Sequence, residues 1–343
     1  MQGVLPYIVR RLAWAPLVLL AVSLITFALG RFGPGDPVRI LAGQHPDPQV
    51  IERIRQEKGL DDPEFLPGFK FWTADFWQDL PDTQFIRYMR NVFQGNFGES
   101  FKYQGQPIRD IVFPRMWVTF QYNLIAFILV FAIGIPVGIW AALRQGTWQD
   151  PFSISVFLLF ASIPVLIMVP ALQYIFALKL RWLPTGGWEV REIFGFLELG
   201  IFSKTIIMPT IALTLPGIAG VARLMRAQVL EVLDQDYVRT ARAKGLQGIT
   251  VVSRHVARNA LLPITTIMGF ALVGLLSGSI FLETLLGIPG IGGYAFEAVG
   301  ARDYDGIMAL VLITATIFIV ANLLVDIAYG FIDPRIRVRG GGT

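Results

Sequence analysis

The sequence predicts an all-α integral membrane protein with about six transmembrane helices. Three observations carry this. Of 343 residues, 54% are hydrophobic and only 16% are charged, where a soluble domain carries roughly 25% charged residues. The mean hydropathy is +0.57. Apolar runs of the length a bilayer requires, about 20 residues in a helix, recur along the chain with the charged residues gathered between them.

The first span is Leu12–Gly30, preceded by Arg10 and Arg11. A cleaved signal peptide would start the same way. This apolar run, however, exceeds the usual h-region of roughly 7–15 residues, and the following "RFGPGDPV" offers no clean small-x-small site, so an uncleaved helix is expected. The second span is Trp117–Ala142, the third Phe152–Leu178, the fourth about Thr205–Val221, the fifth Leu262–Leu286 and the sixth Ile307–Phe331. The fourth is the weakest by pattern, because "TIIMPTIALTLPGIAG" holds two prolines; neighbours or water must then satisfy the freed carbonyls. The chain divides accordingly into an N-terminal helix (1–30), an external region (31–114), a core (115–331) with a cytoplasmic loop near 222–261, and a tail (332–343).

Basic residues near short loops set orientation. They are Arg10 and Arg11, then Arg144, then Arg223, Arg226, Arg239, Arg242, Lys244, Arg254 and Arg258, and finally Arg335, Arg337 and Arg339. With six spans all these groups share one side, which puts both termini in the cytoplasm of a multi-pass protein of the cell (inner or plasma) membrane. Region 31–114 is too long for a simple loop. Asp47–Leu60 has helical spacing, an aspartate near its start and Gly59 as a stop. In "FKFWTADFWQDLPDTQF", Trp72 and Trp77 suit either a headgroup-level belt or a small cap packed on its own aromatics.

Several chemistries are excluded. There is no cysteine, and the two histidines, His45 and His255, lie far apart, so a zinc site of the usual kind is not expected. No glycine is followed by lysine, so there is no Walker A loop and any ATP is bound by another chain. A net charge of +4 over this length makes no nucleic-acid face. Ser277 and Ser279 lie in a span without a histidine, which removes a serine–histidine hydrolase. "GIPGIGG" (287–293) follows an apolar helix rather than a strand and suits a flexible outer gate better than a phosphate loop. Glu283, near the outer end of span five, is either a functional carboxylate at membrane depth or one already at the interface. Asp326 is expected to pair with Arg335 or Arg337, and Arg223 to snorkel.

Within the loop at 222–261, "DYVRTARAKGLQG" (Asp236–Gly248) is short, basic and rich in small residues. Asp234 or Asp236 is placed to cap a helix whose bases lie toward its C-terminal end, as the macrodipole favours. Ala241 and Gly245, four apart, give that helix a small face on which another protein can approach closely, with Arg239 and Arg242 free to pair with acids around the contact. The alternative is an interfacial helix holding anionic membrane lipid. Such a helix wants a bulky apolar face, which alanine and glycine do not supply.

"DYVRTARAKGL" followed by "RNALLP" resembles the EAA loop of ABC importer permeases, in the form used by the dipeptide/oligopeptide/nickel group. Counting back from Gly245, the triplet falls on Arg239, Thr240 and Ala241, so only the last alanine matches the general motif; the Gly245 to Leu262–Pro263 gap is also longer, as in the peptide-group version. The likeness covers nearly the whole chain. "YIVRRLAWAPLVLLAVSLITFAL" with "PGDPV", then "GNFGESFKYQGQPI", "GIPVGIWAALRQGTWQD", "SIPVLI", "RWLPTGGW", "ETLLGIPGIGGYAFEAVGARDYDGIMA" and "NLLVDIAYGFIDPRIRV" are similar, in order, to the B-type permease subunit of that group. One departure is an insertion near Glu64–Thr83, between "GLDDP" and "QFIRY".

The resemblance implies the type I ABC importer permease fold and a non-catalytic subunit without a cofactor of its own. Its implied partners are a second homologous permease (C-type), two cytoplasmic ABC ATPases that bind ATP and Mg, and an extracytoplasmic substrate-binding protein. It implies ATPase coupling through Asp236, Tyr237, Arg239, Thr240, Ala241, Arg242, Lys244 and Gly245, with Glu283, Gly287, Pro289 and Gly290 as candidates for the outer gate or pathway. Peptides are the default substrate; nickel and oligosaccharides stay open. The competing reading is a stand-alone secondary transporter or channel, which usually shows inverted repeats or midplane charges; the sequence has neither. A membrane scaffold would leave the small-faced helix unexplained.

Overall fold

The structure, a computed structural model, describes residues 4–32, 48–57, 62–65, 79–103, 105–193 and 197–332. His45, Asp47, Gly59, Trp72, Trp77, Arg335, Arg337 and Arg339 lie outside these, as do the side chains of Arg10, Arg11 and Asp326. In chain order the helices are α1 (Val4–Phe32), α2 (Pro48–Glu57), α3 (Gln84–Phe93), α4 (Ile108–Leu143), α5 (Gln149–Ala161), α6 (Val165–Lys179), α7 (Lys204–Leu233), α8 (Asp236–Ala243), α9 (Gly248–Leu276), α10 (Ile280–Leu286), α11 (Ile291–Gly300) and α12 (Tyr304–Ile332). One antiparallel hairpin, β1 (Arg191–Ile193) with β2 (Leu197–Leu199), lies between α6 and α7. Among the described residues five helices are long and apolar enough to cross a membrane, or six if α5 and α6 are counted together as one bent span.

Packing divides the chain into two units, one of residues 1–115 and 294–343, the other of residues 116–293. In the first, α1 lies along α12. Their approach is close because Gly30 sits under Met308, where a Cβ would come within 2.7 Å of the sulfur. Phe27 is fully buried there and meets Phe65, Phe85 and Tyr88 with ring centroids 5.2, 5.4 and 5.9 Å away. This cluster closes the base of the inserted stretch. Gln84 and Phe85 donate their backbone N–H groups to Pro63 and Glu64 at 3.0 and 2.9 Å, and the Arg87 guanidinium reaches the Asp62 carboxylate at 2.5 Å. Residues Asp62–Glu64 and Gln84–Arg87 are therefore hydrogen-bonded neighbours, although some twenty residues separate them in sequence.

In the second unit α7 is the central helix. Met208, Ala212, Thr214, Ile218, Ala222, Met225 and Val229 are buried on one broad face while Gly220, Arg223, Ala227 and Glu231 are exposed on the other, and a larger share of its apolar stretch is buried than in any other described span. The segment with the weakest span pattern is thus the most enclosed. Pro209 falls in its first turns, where no helical N–H is lost, and Pro216 lies inside it without ending it. Gly134 and Gly138 of α4 let α7 approach: a Cβ would meet Val221 at 2.9 Å or Met225 at 2.7 Å.

Two expected spans differ in shape. The third is bent by 96° between α5 and α6, because Pro164 cannot continue the helix and disfavours helical geometry in Ile163. The fifth, expected at Leu262–Leu286, runs from Gly248 to Leu276 and breaks at Ser277–Gly278–Ser279 before α10. Apolar composition alone does not separate α9 from α10; the Ser-Gly-Ser step does. Its N-terminal part is held by Val251 and Val256, both buried.

Candidate functional site

The first site is the loop between α7 and α9. Helix α7 ends at Leu233 with Asp234 as its terminal residue, and the extended Gln235 precedes α8 without a capping side chain. Neither aspartate caps α8: Asp236 is its first residue, its carboxylate almost wholly exposed and 3.7 Å from Arg239. An ion pair that open to solvent contributes little.

The small face expected to receive another protein is already occupied. Val238 and Ala241, at i and i+3, are buried in a cluster with Val229 of α7 and Val251, Val256 and Ala260 of α9. Gly245 does not share that environment. It has φ +79°, with its N–H bonded to the Arg242 carbonyl at 3.0 Å, and ends the helix as the left-handed residue that glycine supplies most easily. A Cβ there would meet nothing within 4 Å. The outward side of α8 and its exit carries Asp236, Tyr237, Arg239, Thr240, Arg242, Lys244 and Gly245. Two large aliphatic residues absent from the expected set stand beside them: Leu246, and Ile249 at 77% exposure. Their signal was visible, since "GLQGIT" puts two large aliphatics in a polar turn. The Tyr237 hydroxyl accepts a hydrogen bond from Asn259 at 3.0 Å, which ties the exposed ring to α9.

The second site is the turn after α10. Glu283 is fully buried within the chain. Its Oε1 accepts from the hydroxyls of Thr119 (2.9 Å) and Tyr122 (2.6 Å), and its Oε2 from the Gly293 N–H (2.7 Å). Thr119 also accepts from the Ile291 N–H at 3.0 Å. Thus α4, α10 and the start of α11 meet on one carboxylate. Gly287, at φ +61°, ends α10, and Ile288 returns its N–H to the Glu283 carbonyl at 2.8 Å. Gly290 is buried on the carboxyl itself, where a Cβ would lie 2.5 Å from an oxygen. Gly287 and Pro289 are exposed. The turn is glycine-rich for close packing as well as for backbone freedom.

Further contacts lie near the two sites. Gln173 of α6 donates to the carbonyls of Thr185 and Leu285 (2.7 and 3.1 Å), and Gly187 N–H to Leu286 (2.6 Å), which docks "RWLPTGGW" on the end of α10. Asn123 of α4 donates to the carbonyls of Leu275 and Ser277 (3.0 and 3.2 Å), groups freed where α9 breaks. Near the loop side, Arg226 of α7 makes two parallel bonds to Asp150 of α5 (2.5 and 2.6 Å). In sequence Arg226 is legible only as a topology charge, because partners 76 residues apart leave no local pattern.

Among the described residues no group of three or more His, Asp or Glu is placed to hold a metal. Nothing here combines a nucleophile with a base. The two sites are an exposed helix packed on two long helices, and a buried carboxylate in the short helix that follows one of them.

Residues 134–338 match the family described as binding-protein-dependent transport system inner membrane component, and residues 4–122 match its N-terminal companion. The dipeptide transport system permease protein DppB of Alkalihalophilus pseudofirmus is 34% identical, over 97% of this chain and 99% of that protein. The oligopeptide transport system permease proteins OppB of Haemophilus influenzae and Salmonella typhimurium are 33% and 34% identical, each over 97% of this chain and 99% of theirs. Among solved structures, a chain of the inward-facing MetNI methionine ABC transporter aligns with a TM-score of 0.52 at 17% identity, covering 68% of this chain and 99% of that one. At that identity the likeness concerns the fold, that of a type I importer permease.

Proposed function

Because the chain belongs to the family of binding-protein-dependent transport system inner membrane components, we propose that it is the B-type permease subunit of an ATP-driven importer of peptides. The observation that carries this is near-full-length identity of about a third to several permeases named for dipeptide or oligopeptide transport. On this reading a second, C-type permease completes the translocation path. Two cytoplasmic ATPases hold ATP and Mg, an extracytoplasmic binding protein delivers substrate, and both termini lie in the cytoplasm. This chain transmits force and performs no covalent step.

The coupling surface is the outward side of α8: Asp236, Tyr237, Arg239, Thr240, Arg242, Lys244 and Gly245, extended by Leu246 and Ile249. Ala241 belongs to the same helix but works inward. With Val238 it fuses α8 to the ends of α7 and α9, so displacement of α8 by closing ATPases moves both long helices as one packed body. Helix α9 leads through the Ser277–Ser279 break to α10 and the turn pinned by Glu283, with Gly287, Pro289 and Gly290 as the outer gate. ATP supplies the bias between states; substrate affinity alone shifts nothing unless it differs between them.

The test is gentle purification through a C-terminal tag, with mass spectrometry of every co-purifying protein and of any ligand on a binding protein. A second permease, ATPases and a bound peptide are expected. A chain that transports alone, or as a homo-oligomer, would overturn the reading in favour of a secondary transporter.

A further inference from the structure

We propose that the first unit holds one phospholipid, with its headgroup phosphate against Arg31 and Tyr88 and an acyl chain along α12. Two cavities of that unit meet at Phe97, which lines both. One, of about 140 Å³, is polar and lined by Arg31, Arg87, Tyr88, Asn91, Asn96 and Asp305. The other, of about 330 Å³, is apolar and lined by residues that include Leu19, Met89, Phe93, Phe113, Ile313 and Thr316. They are stacked along the spans. From Arg31 to Leu19 on α1, and from Asp305 to Thr316 on α12, the displacement is roughly 17 Å at 1.5 Å per residue. Both helices are membrane spans, so the polar cavity lies at their ends and the apolar one toward their middle. Half a hydrocarbon core is roughly 15 Å thick. A head at the interface with a tail reaching the midplane has these dimensions and this polarity.

The polar end asks for a ligand. The Arg31 Nε and the Tyr88 hydroxyl are both buried, and neither has a hydrogen-bond partner among the described residues. Both are donors, and buried donors are almost always paired. Arg87 gives one nitrogen to Asp62 and the Asp82 carbonyl. The apolar end asks for nothing polar, since the Thr316 hydroxyl bonds to its own helix at the Leu312 carbonyl. Phe93 and Phe113 stand exposed at its mouth. The two bases at the head are offset by acids, Arg31 by Asp305 and Glu64 and Arg87 by Asp62. That balance favours a zwitterionic headgroup such as phosphatidylethanolamine over a purely anionic one.

The test is native mass spectrometry of the full chain, with whatever subunits co-purify, after washing and incubation with an equimolar mixture of phosphatidylethanolamine and phosphatidylglycerol. One phosphatidylethanolamine per chain is expected to survive. Thr316→Trp, which fills the tail groove, should lower retention about tenfold. Tyr88→Phe should lower it several-fold while leaving the lipid-free thermal midpoint equal or higher, because it removes an unpaired hydroxyl; this variant decides the matter if Thr316→Trp does not fold. Absence of retained lipid, or retention equal to wild type in the folded variants, would overturn the proposal. Preference for phosphatidylglycerol would overturn the headgroup, and release by inorganic phosphate alone would show an anion pocket without a tail site.

Discussion

The Tyr122 hydroxyl lies 2.6 Å from Oε1 of Glu283, so a donor from α4 closes on a carboxylate from α10. With Thr119 and the Gly293 N–H, three donors converge on Glu283. Truncating it strands all three. An unsatisfied buried donor costs about 1–3 kcal/mol, so Glu283→Ala should destabilise the chain by ~3 kcal/mol or more, and Tyr122→Phe by ~1 kcal/mol. Thermal unfolding in detergent, followed by tryptophan fluorescence, reads both. Unchanged midpoints would mean that the contacts are not made.

Gly290 sits on the same carboxyl with no room for a methyl group. Gly290→Ala should therefore displace the turn and cut peptide uptake at normal expression. Glu283→Asp withdraws the carboxyl by one methylene. The double variant Gly290→Ala, Glu283→Asp should then lose less than the sum of the two single losses, the non-additivity expected of groups in contact. Strict additivity in a double-mutant cycle on uptake would separate the two residues.

How far sequence reaches is plain in these elements. The apolar spans, the basic loop and the Gly-Ile-Pro-Gly turn were legible because they are periodic or compositional, and a bilayer forces both. The bend at Pro164 and the break at Ser277–Ser279 are punctuation that hydropathy averages away. Ala241 was read on the correct helix but given the wrong neighbour. A small residue permits close approach without saying whose backbone approaches, and here it is the chain's own α9. Glu283 was singled out as ionisable, yet its partners Thr119 and Tyr122 are more than 160 residues distant. Only the fold brings such pairs together.

The Asp150–Arg226 pair is bidentate and mostly shielded, with the Asp150 side chain 8% exposed. Breaking a buried pair leaves an uncompensated charge, at a cost of about 3 kcal/mol. Arg226→Ala and Asp150→Ala should each lower stability by that order. The double variant should lower it by clearly less than twice as much, since no charge is then stranded. Equal stability of the single variants and wild type in detergent would show a pair held by packing alone.

A pH dependence follows from Glu297. Its carboxyl is partly buried, which raises its pKa. Hydrogen bonds from Lys102 and Tyr103, with the charge of Arg115, outweigh the burial and hold it below its ordinary value of 4.5. A depressed carboxylate stabilises the folded form at every pH above the ordinary value, and that contribution fades as pH falls through the lowered one. The thermal midpoint of wild type should then drop below about pH 4.5 more steeply than that of Glu297→Gln, which has no proton to take up. Parallel curves for the two proteins would remove Glu297 from the acid response.

The exposed side of α8 allows a sharper coupling test than its glycine does. Gly245 holds a left-handed φ, so any replacement is strained in itself, by ~1 kcal/mol for alanine, and a bulky one confounds folding with coupling. Ile249 is 77% exposed and Leu246 41%, so neither contributes much to the chain's own core. Ile249→Asp and Leu246→Asp should leave the thermal midpoint within about 0.5 kcal/mol of wild type. They should nevertheless release the ATPase subunits in mild detergent and abolish ATP-driven uptake, because an aspartate buried without a partner at a protein contact is costly. Arg239→Glu should weaken the same retention through charge, and added salt should reduce that difference. If all three variants keep the ATPases as wild type does, the outward side of α8 faces lipid or solvent, and coupling must pass through another surface.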